Sequence, residues 1–149
     1  PHLPVVEQDV RDRGLTAHFT FTGALYDKAL LEVLNVIDIG VAPDPKNTMN
    51  DISTMNKVME YMTLGKPVVQ FDLTEGRASA GEASLYAADN DPVQMADCIA
   101  RLMDDPDLRA RMGALGRARV LERLSWDSSA PHLLAAYDRI AAKLPRRKA

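Results

Sequence analysis

Short β-branched or apolar runs alternate with helix-length stretches along most of the chain, and that alternation limits the possible folds most. Strand-like runs fall at 18–22 (His18-Phe19-Thr20-Phe21-Thr22), 37–42, 67–72 and, more weakly, 84–87. Between the first two, the stretch beginning at residue 26 puts Leu30, Leu31, Leu34 and Ile37 on one helical face. Between the next two, 54–64 carries Met55, Val58, Met59 and Met62 at i, i+3, i+4 and i+7 and closes on Gly65, where a left-handed residue costs least. Helices are expected over 92–103, 106–124 and 126–143, because Asp91-Pro92 and Asp105-Pro106 each set a capping acid before a first-turn proline and Ser125 can cap the last. Strands separated by helices imply crossover connections, hence a mainly parallel sheet covered by helices on both faces. The fold class is α/β, Rossmann-like.

The beginning of the chain fits this scheme less well. Residues 3–13 read as a helix, with Leu3, Val6 and Val10 along one side, and no strand precedes it. Four strands are few for a doubly wound sheet. The expectation is a single domain over 1–149, truncated at its N-terminus, with a frayed basic tail at 145–149.

Composition removes several classes. The 149 residues suit one domain, and 46% hydrophobic with 26% charged residues exclude disorder. Apolar runs are far shorter than the roughly 20 residues of a membrane-spanning helix, and no leader pattern opens the sequence. Cys98 is a single cysteine, so no internal disulfide forms. A net charge of −3 gives no general attraction to nucleic acid, and no metal-ligand spacing is present. The pattern is that of a cytoplasmic domain needing no metal cofactor.

Ligands of open α/β sheets sit beyond the carboxyl ends of the strands. The leading candidate there is the polar loop 44–53, which includes Asp51 and Ser53 and runs through Thr54 and Met55 into a helix bearing Asn56, Lys57 and Glu60. Bare amides at such a helix start attract anions, phosphate above all. Lys57 and Glu60, with Tyr61, are expected on the sector away from the sheet; on spacing alone the first two also fit a solvated surface pair. Glu75 and Arg77, read as a loop after the 67–72 strand, could line the same cleft or be plain surface. His2, His18 and His132 are scattered and read as structural or solvated, and Leu102, Leu108, Met112 and Leu115 as core. Leu133, Leu134, Tyr137 and Ile140 on the last helix would form an exposed apolar patch that favours self-association.

The run from Asn56 through Lys57, Glu60, Tyr61, Met62, Gly65, Lys66 and Pro67 to Val69 resembles the K-x-x-E-Y-M-x-x-G-K-P-V-V signature of group 1 (family 4) glycosyltransferases, retaining enzymes of the GT-B fold. Phe19-Thr20-Phe21-Thr22-Gly23 resembles the family's V-x-F-x-G strand, and Ile37-Asp38-Ile39-Gly40-Val41-Ala42-Pro43 its A-D-I-x-V-x-P strand. The segments 79–86 and 104–126 resemble the A-G-x-A-x-L-Y and D-P … F-S-W runs in the same order. The resemblance implies most of the C-terminal, donor-binding half of a two-domain enzyme, inactive without the missing N-terminal acceptor domain. It implies a nucleotide-diphosphate sugar (UDP- or GDP-sugar) as donor and no metal. Glu60 would accept hydrogen bonds from the ribose hydroxyls, amides of Ser53, Thr54, Met55 and Asn56 would cradle the diphosphate, and Lys57 would add positive charge. The sequence departs from the family at the first Glu of its E-x7-E pair, where Ile52 stands beside Asp51, so either Asp51 substitutes or a sugar contact is lost. Partners expected with that reading are the acceptor domain, peripheral membrane contact of the full-length enzyme, and self-association or strand swapping of the fragment. Competing readings are a nucleotide-sugar epimerase-like domain, for which no His lies near Glu60, and a non-catalytic Rossmann-like interaction module.

Overall fold

The computed structural model describes residues 2–88 and 90–143, so the expected basic tail at 145–149 lies outside the described residues. Two compact units divide the chain, Pro1–Val33 and Leu34–Ala149.

In the first unit, α1 (Leu3–Asp12) starts with a proline in its first turn, where the missing N–H costs no helical bond. It closes at Gly14 with φ +68°, the Leu15 N–H reaching the Val10 carbonyl at 3.0 Å. The strand expected at 18–22 does not form. A 3₁₀ turn (Thr16–His18) takes its start, and Phe19 onward carries no ladder bonds, although Phe19 itself is extended. An extended segment becomes a strand only when a neighbour accepts its N–H groups, and none of the described strands does so. Helix α2 (Asp27–Val36) follows.

The second unit is built on a three-stranded parallel sheet in the order β1 (Gly40–Ala42), β2 (Val68–Phe71), β3 (Ser84–Ala87). Gly40 pairs with Val68 and Val68 with Ser84. All four β2 residues are buried, as a central strand's must be when both faces are covered. Its side chains alternate accordingly. Val68 packs with Val58, Met62, Ala80 and Ala83, while Val69 and Phe71 pack with Met95, Leu102, Leu108 and Met112. The first set comes from α4 (Asn56–Thr63), α5 (Thr74–Ala80) and the turn after it, the second from α6 (Pro92–Asp104) and α7 (Pro106–Arg119). A short α3 (Thr48–Asp51) precedes α4, and α8 (Trp126–Ala141) ends the described fold.

The expected helix starts hold: Asp91 accepts from the Val93 N–H at 2.8 Å, Asp105 from Leu108 at 2.8 Å, and Ser125 from Ser128 at 3.3 Å. Gly65 closes α4 with φ +68°, its N–H on the Met62 carbonyl and the Lys66 N–H on the Tyr61 carbonyl, both at 2.9 Å. Three local expectations are corrected. Residues 74–80, read as loop, form α5, because Leu73 anchors the turn (fully buried) and the small residues Gly76, Ser79 and Ala80 fit flush beneath it. The helix expected over 106–124 widens into a π turn (Val120–Leu124) after Arg119. Tyr61 turns inward, its ring lying where a Cβ on Gly40 would sit 2.3 Å from ring carbons.

Candidate functional site

β1 ends at Ala42, where the chain enters the polar segment 44–53 that the sequence singled out, and β2 ends at Phe71, where it enters α5. Asn47 organises the first loop. Its Oδ1 accepts from the Met49 and Asn50 N–H groups at 3.0 and 2.9 Å, starting α3, and Asn50 Nδ2 donates to the Pro45 carbonyl at 2.8 Å. Ser53 Oγ donates back to the Met49 carbonyl at 2.6 Å. From the far side Asn90, with φ +60°, brackets Lys46: it accepts from the Lys46 N–H and donates Nδ2 to the Lys46 carbonyl at 3.2 Å. Asparagine tolerates this left-handed conformation better than most residues.

The loop then delivers α4 with an open start. Met55 stands at the N-cap, its thioether caps nothing, and the first backbone bond into the helix runs from the Val58 N–H to the Met55 carbonyl at 3.0 Å. Among the described residues the amides of Met55, Asn56 and Lys57 thus have no acceptor, the arrangement that favours an anion, whereas the Ser53 N–H, expected to join them, is taken by the Asn50 carbonyl at 3.2 Å.

Five carboxylates lie on α4 and on the segments that follow β1 and β2, and other residues hold four of them. Asp44 receives Lys57 Nζ at 2.7 and 3.0 Å, so Lys57 pairs across the β1 end and not with Glu60 one turn along. Asp51 accepts from the Thr74 N–H and the Thr74 hydroxyl, both at 2.9 Å, with Lys46 Nζ 3.8 Å away; the Thr74 amide foremost holds its carboxyl below the usual range. Asp72 is gripped by Arg77 through Nε and, at 2.7 Å, Nη2, which lowers the Asp72 pKa and raises that of Arg77. The Arg77 guanidinium also lies 4.3 Å over the Tyr86 ring. Glu75 accepts from Thr54 Oγ1 at 2.8 Å and Ser79 Oγ at 3.0 Å. Glu60 is exposed and has no hydrogen-bond or ion-pair partner among the described residues. Its charge and that of Asp44 add to burial, the largest cause, in raising the Tyr61 pKa, so Glu60, Asp44 and Tyr61 share one neighbourhood.

The structure therefore joins Ser53, Thr54, Met55, Asn56, Lys57 and Asp51 in one loop-and-helix start, with Glu75 bound to it through Thr54. Arg77 is tied to Asp72 and Tyr86 and makes no bond to that loop. Asp44, Asn47, Thr74 and Asn90 were not singled out in the sequence. Asn47 carries a readable signal, a capping residue three positions ahead of Asn50; the others act across 13 to 44 residues, where spacing carries no information. Among the described residues no group of three or more His, Cys, Asp or Glu is placed to hold a metal ion, and no helix is long and apolar enough to cross a membrane.

Comparison with known proteins gives this arrangement a family. The structure superposes on a sucrose-phosphate synthase from Thermosynechococcus elongatus with a TM-score of 0.74 and 23% identity, covering 93% of this chain and 34% of that one. At the sequence level it is 24% identical over 142 residues to an alpha-D-kanosaminyltransferase and 27% identical over 150 residues to a 2-deoxystreptamine glucosyltransferase, both of Streptomyces kanamyceticus. Those alignments take in 94% and 96% of this chain but 36% of each relative, so the chain spans about a third of their length. The model of the family described as glycosyl transferases group 1 matches residues 2–105, well over half of the sequence, and the chain belongs to that family.

Proposed function

We propose that the chain is the donor-binding part of a retaining glycosyltransferase that moves a hexosyl group from a nucleoside-diphosphate sugar, UDP- or GDP-linked, to an acceptor held elsewhere. The observation that carries this reading is Glu60: of the five carboxylates on α4 and on the segments after β1 and β2, it alone has no partner among the described residues. An ionised carboxylate only accepts, and its two oxygens suit the paired hydroxyls of a ribose. The amides of Thr54 to Asn56 and the positive end of α4 suit the diphosphate next to it. When the anomeric bond breaks, charge develops on the leaving diphosphate, and fixed N–H groups stabilise it without reorganising. Lys57 contributes less than a free ammonium would, because Asp44 offsets its charge. The names of the two Streptomyces relatives, for kanosaminyl and glucosyl transfer, support a hexosyl group as cargo.

Calorimetric titration of the protein with UDP, GDP and ADP tests the reading. One of the first two is expected to bind, and Glu60→Ala to weaken it about 10- to 100-fold, the worth of a hydrogen bond to a charged group. Equal binding of all three, unaffected by Glu60→Ala, would refute it.

A further inference from the structure

The loop that presents the amides is fastened to α5 at two points, neither of which touches the amides themselves. Asp51, at the end of α3, takes both the N–H and the hydroxyl of Thr74 at 2.9 Å, and Thr54, two residues before α4, donates its hydroxyl to Glu75 at 2.8 Å. Ser79, one turn further along α5, steadies the same Glu75 oxygen at 3.0 Å. The two fastenings bracket residues 52 and 53 and end where the open amides begin.

Helix α5 is itself immobilised. Beneath it, Gly76 lies so close to the buried Gln70 that an added Cβ would sit 2.5 Å from the Gln70 Oε1. At its far end Arg119 donates from Nε to the Ser79 carbonyl and from Nη2 to the Ala78 carbonyl, each at 2.7 Å. Helix α7 thus holds α5, and α5 holds the loop.

We infer that Asp51, Thr74, Thr54 and Glu75 are positioning residues that set the height of amides 54–57 for the diphosphate, α5 serving as a fixed post. This role rests on the donor-binding reading above, and it assigns Asp51 to the loop's anchorage and not to a sugar hydroxyl. Anion binding by amides depends on several N–H groups converging at once, so a loop freed by fractions of an ångström loses affinity without losing its fold.

The test pairs two measurements on the protein and on Thr74→Val, Thr74→Ser and Thr54→Val, all well below their melting temperatures. Hydrogen exchange without ligand reads the loop, and titration with UDP and GDP reads its consequence. Thr74→Val and Thr54→Val each remove one hydroxyl bond and are expected to speed exchange at the bonded loop amides of Met49, Asn50, Asp51 and Ser53 and weaken nucleotide binding about fivefold. Thr74→Ser keeps the hydroxyl and is expected to restore both. A purely structural role would lower the melting temperature with binding unchanged, and that result would overturn the inference, as would unaltered exchange in both valine variants. Absence of nucleotide binding by the unmutated protein would overturn the functional reading, and this role with it, a result distinct from variants that bind like the parent.

Discussion

Gly113→Ala measures how tightly α4 is held from behind. A Cβ on Gly113 would stand 2.0 Å from the Gly65 carbonyl oxygen and 2.9 Å from its carbonyl carbon. Both are backbone atoms of the turn closing α4, so no side chain can swing aside. To reach the 3.0 Å that real contacts respect, α7 has to recede by about 1 Å. Its neighbours Met112 (3% exposed) and Gly116, which lies against Met62 and Ala83, recede with it. A gap of that size forfeits a quarter to a half of the dispersion energy across the contact, and forced overpacking costs about 1–3 kcal/mol. Alanine returns up to about 1 kcal/mol through helix propensity. The net expectation is a loss of about 2 kcal/mol, which lowers Tm by roughly 6–10 °C for a unit of this size. Gly116→Ala is the milder comparison: its Cβ would meet Met62 Cγ at 3.0 Å, Ala83 Cβ at 3.1 Å and Met62 Cβ at 3.2 Å, a strain of a few tenths of an ångström that the propensity gain partly offsets. Thermal denaturation followed by circular dichroism reads both. A Gly113→Ala protein melting within about 2 °C of the parent would show that α7 slides freely, and would remove the argument that the α4 turn is fixed.

Further predictions follow from the same contacts. Gly40→Ala drives a methyl into the Tyr61 ring, which lies 2.3 Å from that position, and is expected to expel the ring, change the near-ultraviolet dichroism and cost about 1–3 kcal/mol by chemical denaturation. Glu60→Gln removes one of the charges that raise the Tyr61 pKa, so the tyrosine titration followed by NMR is expected to move down while staying above the ordinary value, because burial is the larger cause. Asp51 and Asp72 have folded pKa values below their unfolded ones, so their stabilisation is present above about pH 4 and is lost as pH falls through the depressed values. Arg77→Met removes the ion pair, and the variant is expected to lose less stability than the parent between pH 7 and pH 3; an equal loss would mean that the Asp72–Arg77 pair is not what titrates.

The parts legible in the sequence are those whose cause is local. Capping by Asp91, Asp105 and Ser125, the Gly65 closure and the Met55–Met62 stripe each depend on residues within one or two turns, and all appear where the pattern puts them. The 18–22 run shows the limit of that logic: alternation marks a segment able to be a strand, but pairing needs a neighbour that the local pattern does not contain. Helix α5 escaped for the opposite reason. Its Gly, Ala and Ser residues carry little amphipathic signal, and it exists because such residues fit against Gln70 and beneath Arg119. Within the site, the loop-to-helix order could be read along the chain, whereas Glu60 stands out only through the family resemblance, since its spacing to Lys57 fits a surface pair equally well. The pairings that leave Glu60 free could not be read there, since Lys57 chooses Asp44 and Asp51 chooses Thr74 across the ends of two different strands.

Chemical-shift mapping of the isotopically labelled protein during titration with UDP or GDP goes most directly to the claim that the start of α4 grips a nucleotide. Saturable shifts are expected to concentrate in the amides of residues 54–57 and in Glu60, with α6 and α8 silent. Shifts centred elsewhere, or none at millimolar nucleotide, would contradict it.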